Sequence, residues 1–500
     1  MTGDLPNGTA APSHQEGGFP HVVLDTTLHD LYAAEYPDHN GEVPETLCHF
    51  KPNADRRYKE IPLNNKFLIT SSNVASGSDL AHLQLENVSN LLMFPVGRGK
   101  VAYVASEGIS DDPSLSRESV DAAAKRGFMI LPENQRPVIT THANQEDFVA
   151  NHDGSPIRWG FSVDFAERLP ALLPPEKVFE INSKRWLAEC DLRSANDKII
   201  DCECVCDHHT TKAGKWYYGA GDCTACKETV SGEIARVLRV LEETPVPYVL
   251  KLTQSLGSVG THIVQNEEDR KKVMEYMSTD NLPAYLPRIS EGNAHIWPTA
   301  LVVSEFIKGD TMALNFFVKK DGSPIFVCAC QQLTTRTSDS GRQSTGIIFD
   351  EQEEMEKKYY DTLCEIGKAL RKEGYFGQVG ADIMEDPDDG TQYVIDLNVR
   401  TPTSYTLGLI KGHCKKRGFG VGIIYECVIL KVSRDDFEKQ FHQEFQEGRI
   451  ILLGCTRLGT KNAWAYPTIL VGEAKEDIDK LSERIMKLEV GGEESEAGAG

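Results

Sequence analysis

No apolar run in the chain approaches the ~20 residues that a membrane-spanning helix needs. The segment Met1 to Gly18 is rich in Gly, Pro and polar residues and lacks the apolar centre of a signal peptide, so a cytoplasmic protein is expected. Basic residues are the minority, 53 Lys and Arg against 75 Asp and Glu, a formal charge of −22. Phosphate backbones recruit basic surface, so nucleic acid is excluded as the main partner, though a local basic pocket for a small anion is not. The 13 cysteines are odd in number and lack the spacing of a disulfide scaffold. Cys190, Cys364 and Cys427 stand singly and read as small buried hydrophobes in a reducing compartment.

What is present suits a soluble protein of several domains: 500 residues, 40% hydrophobic and 26% charged. Residues 1–18 read as a disordered leader and 491–500 as a disordered acidic tail. Between them an α/β domain is expected over 19–175, ending at the Pro-rich Leu169–Pro175. A second α/β domain follows over 176–432, with a Cys-rich insertion at 202–226, and then a small α/β lobe over 433–490. Ile234, Val237, Leu238 and Leu241 fall at helical spacing before Pro245 and Pro247, and Tyr248–Thr253 and Ala300–Ile307 read as strands. Over Glu351–Glu373 an apolar stripe of Met355, Tyr359, Leu363, Ile366 and Leu370 predicts a helix capped at Gly374. In the last segment Arg449–Leu453 and Thr468–Val471 read as strands, and Glu473–Leu488 as an amphipathic helix.

The most informative stretch is a hairpin, Gln378–Glu385 and Gln392–Arg400 around the turn Asp-Pro-Asp-Asp-Gly. Strand alternation puts Ile395, Leu397 and Val399 on one face and Asp396, Asn398 and Arg400 on the other. A turn centred on Asp389 sets Asp382 opposite Asp396. Like charges across a ladder destabilise it, and a cation between them removes that cost. Carboxylate and amide oxygens are the donors Mg²⁺ uses beside phosphates. The alternative is a solvated polar strand face.

A second signal is Lys251-Leu252-Thr253-Gln254-Ser255-Leu256-Gly257-Ser258-Val259-Gly260-Thr261. Gly257 and Gly260 let backbone N–H groups approach phosphate oxygens, while Ser255, Ser258 and Thr261 add donors. Lys251 lies mid-strand between Leu250 and Leu252, where an ammonium wants an anion. The stretch has neither Gly-Lys-Ser/Thr nor Gly-x-Gly-x-x-Gly, and a flexible surface turn is the competing reading. Third, Val302 to Asp310 runs from an apolar strand into a polar hinge, the composition of an adenine slot or of an ordinary strand end.

In this order the elements resemble the ATP-grasp superfamily across about residues 180–430: a lysine strand, a glycine-rich flap, a hinge, then acid…acid-x-Asn-x-Arg. Asn182-Ser183-Lys184 is similar to the family's helix start whose lysine reaches the nucleotide. The resemblance implies an α/β ATP-grasp fold with ATP and two Mg²⁺ ions as cofactors. Lys184 and Lys251 would hold phosphates, Ser255, Gly257, Ser258 and Gly260 would form the flap, and Glu305 and Ile307 would give the adenine contacts. Asp382, Asp396 and Asn398 would hold metal, and Arg400 would stabilise the transferring phosphoryl group or the substrate carboxylate. Both metal acids are Asp where the family more often has Glu. The ribose acid's usual position is Thr311 here, so Asp310, one residue early, is carried over instead. The flanking segments resemble biotin-carboxylase-like members, and the whole is similar to stand-alone ATP-grasp ligases of fungal secondary metabolism.

The implied reaction joins a small carboxylate, amino acids included, to an amine through an acyl phosphate, with ADP as product. A bicarbonate-activating carboxylase and a non-catalytic nucleotide-binding protein are the alternatives. The identities of acid and amine and the oligomeric state are not legible.

Two further features stand apart. Cys204, Cys206, Cys223 and Cys226 have a spacing that would hold a structural zinc, the alternative being reduced cysteines in a loop. Gln331–Ser344, with Arg336 and Arg342, reads as a substrate-covering loop or a solvated one.

Overall fold

Short apolar strands build the first sheet. The computed structural model describes residues 18–37, 43–47, 66–71, 91–104, 126–203, 224–256, 260–335, 342–458 and 463–489. Its first strands are β1 (Glu45–Leu47), β2 (Thr70–Ser71), β3 (Lys100–Val104), β4 (Val138–His142) and β5 (Ile157–Trp159). Four of them form a parallel sheet in the order β4-β3-β1-β5. Val101, Ala102, Tyr103 and Val104 are consecutive and all buried, the continuous run expected of a parallel strand covered on both faces. The residues that follow β5, Gly160 to Ser162, emerge at the carboxyl edge of this sheet.

A second sheet is antiparallel, in the order β6-β10-β7-β9: β6 (Lys198–Ile200), β7 (Tyr248–Leu252), β9 (Thr261–Val264) and β10 (Leu301–Glu305). The helix Thr224–Glu243 covers it, with Val237 and Leu241 fully buried and Ile234 and Leu238 partly so. Between β7 and β9 lies β8 (Ser255–Leu256), which pairs in parallel with β2 and so ties the first domain to the turn after Lys251.

The third sheet is the largest, in the order β15-β14-β11-β12-β13-β16-β19-β17, with β18 added on β19. Its strands are β11 (Thr311–Val318), β12 (Pro324–Thr335), β13 (Arg342–Ile348), β14 (Gly377–Glu385), β15 (Gln392–Asn398), β16 (Val421–Leu430), β17 (Ile450–Leu452), β18 (Thr456–Leu458) and β19 (Ala463–Gly472). The helix Gln352–Lys372 lays Tyr359, Leu363, Ile366 and Leu370 on the core of β11, β14 and β15, with Met355 at its margin. Gly374 follows at φ +80°, the left-handed C-terminal position that glycine favours.

Besides the extra Val327 between β11 and β12, two bulges interrupt the ladders of this sheet. Asp382 pairs with Asp396, but Ile383 pairs with Val394, which leaves Ile395 as an extra residue. The expectation that Ile395 shares the core face with Leu397 and Val399 is therefore corrected: Val394 takes that place and Ile395 is half-buried outside the cluster. In the second bulge Tyr425 pairs with Thr468 and Val428 with Tyr466, so Glu426 and Cys427 lie opposite Pro467 alone. Proline has no N–H for the ladder, and an irregularity beside it is the usual accommodation. β19 consequently runs through Pro467 and is longer than the expected Thr468–Val471.

Candidate active site

The site is built from the β14–β15 hairpin outward. Its turn closes through the Asp386 N–H on the Thr391 carbonyl (2.9 Å) and the Gly390 N–H on the Asp386 carbonyl (2.8 Å), with Gly390 at φ +73°. The hairpin holds Asp382 and Asp396 directly across from each other. Asp396 Oδ1 accepts the Leu397 N–H at 2.9 Å and lies 3.0 Å from Lys184 Nζ. Asn398 Oδ1 accepts an N–H of Arg400 at 2.5 Å.

Lys184 opens the helix Lys184–Glu189, where Ser183 is the N-cap and accepts the Trp186 N–H at 2.9 Å. Asn182, just before it, behaves like a missing strand residue. Its Oδ1 accepts the Val399 N–H at 2.9 Å, and its Nδ2 donates to the Val399 carbonyl at 3.3 Å. That clamp fixes Lys184 and the Asn398–Arg400 segment relative to each other.

Lys251 is only 8% exposed, on β7 beside Val302 of β10. Its ammonium donates to the Ile395 carbonyl at 2.8 Å, the carbonyl that the bulge turns out of the ladder. Burial pulls the Lys251 pKa down; Asp197 and Asp396 pull it back, and nearby Lys184 depresses it again. Asp197 accepts a hydrogen bond from the Ser304 hydroxyl. Sequence reasoning misses Asp197 because it sits in no motif; its neighbour Asn196, at φ +43°, marks the tight turn only once the backbone is seen.

The hinge follows β10. The Glu305 N–H donates to the Ala195 carbonyl at 2.7 Å, and its carboxylate accepts from Asn196 Nδ2 at 2.8 Å. The Val394 N–H donates to the Arg193 carbonyl at 2.9 Å, so the segment around 193–197 stitches the second sheet to the third. Ile307 is half-buried, while Glu305 and Asp310 are exposed. Gly309, at φ +135°, packs so closely that a Cβ there would meet the Glu385 carbonyl oxygen at 2.5 Å.

Of the flap, Gly257 and Ser258 lie outside the described residues. At Gly260 a Cβ would fall 2.6 Å from the Ser255 Cβ, so only glycine fits this turn. Cys204, Cys206 and Cys223 also lie outside the described residues, as does the Cys226 side chain, and with them the zinc expectation. The same holds for Arg336 and for the side chain of Arg342.

Arg400 is half-buried with its guanidinium 5.3 Å from the Phe161 ring centre. Burial lowers its pKa, while Asp396, Glu426 and Asp382 raise it. Glu426 is the bulged residue of β16, another functional candidate that no local pattern announces. Arg400 lines a small cleft of about 20 Å³. Its lining includes the polar Lys184, Ser255, Asn398 and Arg400 and the apolar Ile69, Phe161, Val178, Phe179 and Leu397. Of the expected residues, Lys184, Ser255, Asn398 and Arg400 line this cleft; Asp396 lies 3.0 Å from Lys184 and opposite Asp382, Lys251 reaches the Ile395 carbonyl next to Asp396, and Glu305 and Ile307 lie at the hinge end of β10.

Residues 237–404 match the family described as ATP-grasp domain. The chain carries an ATP-grasp domain. Lys251, the hinge and the whole β14–β15 hairpin fall inside the matched stretch, and Lys184 lies outside it. Among solved structures, the chain is similar to the ADP complex of purK, N5-carboxyaminoimidazole ribonucleotide synthetase (10% identity, 80% of this chain and 93% of that one, TM-score 0.43). It is similar to N5-carboxyaminoimidazole ribonucleotide synthetase from Thermus thermophilus (12%, 82% and 97%, TM-score 0.42). A third likeness is to phosphoribosylamine–glycine ligase from Thermotoga maritima (13%, 78% and 96%, TM-score 0.43). No curated protein sequence matches the chain.

The donors of the ATP-grasp cleft fit ATP and Mg²⁺. Asp382, Asp396 and Asn398 offer only oxygen donors towards a hard cation, and the two lysines are buried ammonium groups suited to phosphate. No helix among the described residues is long and apolar enough to cross a membrane.

Proposed function

We propose that the protein is an ATP- and Mg²⁺-dependent ligase that joins a small carboxylic acid to an amine. The observation that supports the reading is one cluster: paired Asp382 and Asp396, Asn398 and Arg400 on the same strand end, buried Lys184 on Asp396, and buried Lys251 on the Ile395 carbonyl. Lys184 and Lys251 bind the nucleotide phosphates, Glu305 and Ile307 present hinge backbone to the adenine, and Asp310 serves the ribose. Asp382, Asp396 and Asn398 hold Mg²⁺, which when bound neutralises phosphate charge. Arg400 binds the substrate carboxylate and orients it for attack.

In the first step a carboxylate oxygen bonds to the γ-phosphorus and the bond to the β-phosphate oxygen breaks, giving an acyl phosphate and ADP. In the second the amine nitrogen bonds to the carbonyl carbon, phosphate leaves with the electron pair of the C–O bond, and the amine proton passes to phosphate or solvent. Positioning and charge neutralisation carry such chemistry, and no nucleophilic side chain is required. The flap that the resemblance implies would exclude water from an intermediate that water would hydrolyse.

The resemblance to stand-alone fungal ligases of secondary metabolism supports a small-molecule amide as product. The test is product analysis with Mg·ATP and pools of acids and amines. ADP and inorganic phosphate that depend on an acid and rise with an amine support the ligase; AMP and pyrophosphate overturn it.

A further inference from the structure

Asp396 holds a cation that belongs to the chain itself. Its Oδ1 accepts the Leu397 N–H at 2.9 Å and lies 3.0 Å from Lys184 Nζ, so both acceptor positions of that oxygen are taken. Asn398, the next expected metal ligand along the strand, is engaged too, its Oδ1 accepting an N–H of Arg400 at 2.5 Å. A Mg²⁺ ion on Asp396 and Asn398 therefore meets an ammonium and a guanidinium at the oxygens it needs, and like charges at that range repel. Lys251 adds to the positive charge: Lys184 is near enough to depress its pKa and Asp396 near enough to raise it.

The anchoring of Lys184 fixes its backbone and leaves its ammonium able to turn. Its N–H donates to the Thr253 carbonyl at 2.9 Å, Ser183 caps the helix it opens, and Asn182 clamps Val399 at both N–H and carbonyl. Beyond that point the side chain is a flexible four-carbon stem. Thr253 leads into Ser255, and Ser255 and Lys184 line the same small cleft. An anion held at the turn after β7 is thus within the sweep of the ammonium. The pair is also unequal, with the Lys184 side chain 7% exposed and that of Asp396 26%. Without the lysine, Asp396 keeps its contact with water.

We propose that Lys184 is a placeholder cation: it neutralises Asp396 and yields it to Mg²⁺ only when nucleotide phosphate takes the ammonium, so that the metal binds with the nucleotide and not before it. The proposal rests on the ligase reading and adds the order in which its site fills. Divalent metal alone is held weakly, by the factor that displacing Lys184 costs, and metal and nucleotide strengthen each other's binding reciprocally.

The test uses Mn²⁺ in place of Mg²⁺, titrated into the full-length chain. Free ion is read by electron paramagnetic resonance and bound ion by water-proton relaxation. Without nucleotide the wild type binds Mn²⁺ weakly, and Lys184→Met binds it ~10-fold more tightly or better. Lys184→Arg, which keeps a cation on Asp396, shows no such gain, and adding Asp396→Asn to Lys184→Met removes it. With ADP, the wild type forms a complex whose relaxation enhancement exceeds that of Mn·ADP. Equal Mn²⁺ affinity in wild type and Lys184→Met overturns the proposal and leaves the ligase standing, as does a gain that survives Asp396→Asn. So does a wild type that holds Mn²⁺ on Asp396 as tightly without ADP as with it, a comparison that needs no lysine variant. Absence of bound Mn²⁺ in every protein, with and without ADP, overturns the metal assignment on which the ligase reading depends, and this proposal with it.

Discussion

The Lys251 ammonium donates to the Ile395 carbonyl at 2.8 Å, joining the second sheet to the third. Each partner explains the other. Ile395 is the extra residue of a β-bulge, so its carbonyl is released from the ladder between β14 and β15. Lys251 is buried and its charged form is penalised by that burial, so it needs an acceptor.

Lys251→Met keeps the length of the side chain and removes the charge. A charge-assisted contact to phosphate is worth about 1.5–3 kcal/mol, so the KM for ATP should rise roughly 10- to 150-fold. The thermal transition should hold, because the buried ammonium was costly. ATP-dependence of ADP release and a thermal melt check both; an unchanged KM removes Lys251 from the nucleotide site.

Asp396→Asn should lower ATP turnover at least about 100-fold with the fold intact. The amide oxygen still accepts the Leu397 N–H, which Asp396 Oδ1 holds at 2.9 Å, so the strand loses no ladder contact. A variant that turns over ATP normally, or one that no longer melts cooperatively, would speak against the metal assignment.

The hairpin was legible because period-two alternation survives over most of both strands, and Asp382 opposite Asp396 follows from its turn. The Gln352–Lys372 helix was legible for the same kind of reason, a regular stripe from Met355 to Leu370. Bulges break that logic. Nothing near Ile395 marks it as the extra residue, and Glu426 is exposed beside Arg400 only because β16 bulges opposite a proline far along the chain, Pro467. The order of the first sheet was not legible either, since β1 and β5 have three residues each and carry too little pattern to fix neighbours. Phe161 and Ile69 reach the cleft through that sheet and through the pairing of β2 with β8, contacts between segments with no shared motif.

His413 gives a prediction about stability. Its Nδ1 accepts the Val23 N–H at 3.2 Å and its Nε2 is buried without a partner among the described residues, so the folded ring is neutral. Burial, with Arg417 and Lys416 beside it, pushes its pKa from 6.5 down to about 4. The unfolded chain therefore binds the proton more readily. The stabilisation is complete above pH 6.5 and is lost as pH falls through 4, by about 3 kcal/mol in all. Urea unfolding at pH 7 and pH 4.5 should show a smaller loss of stability in His413→Gln than in the wild type. Equal losses would mean that His413 is not buried neutral.

The most direct measurement of the ligase account follows oxygen. The acid is supplied with ¹⁸O in its carboxylate, together with Mg·ATP and the amine, and the released inorganic phosphate is analysed by mass spectrometry. Attack of the carboxylate on the γ-phosphorus leaves one labelled oxygen in each phosphate, alongside ADP. Unlabelled phosphate would mean hydrolysis of ATP without acyl phosphate formation, and label in AMP would mean adenylation; either contradicts the account.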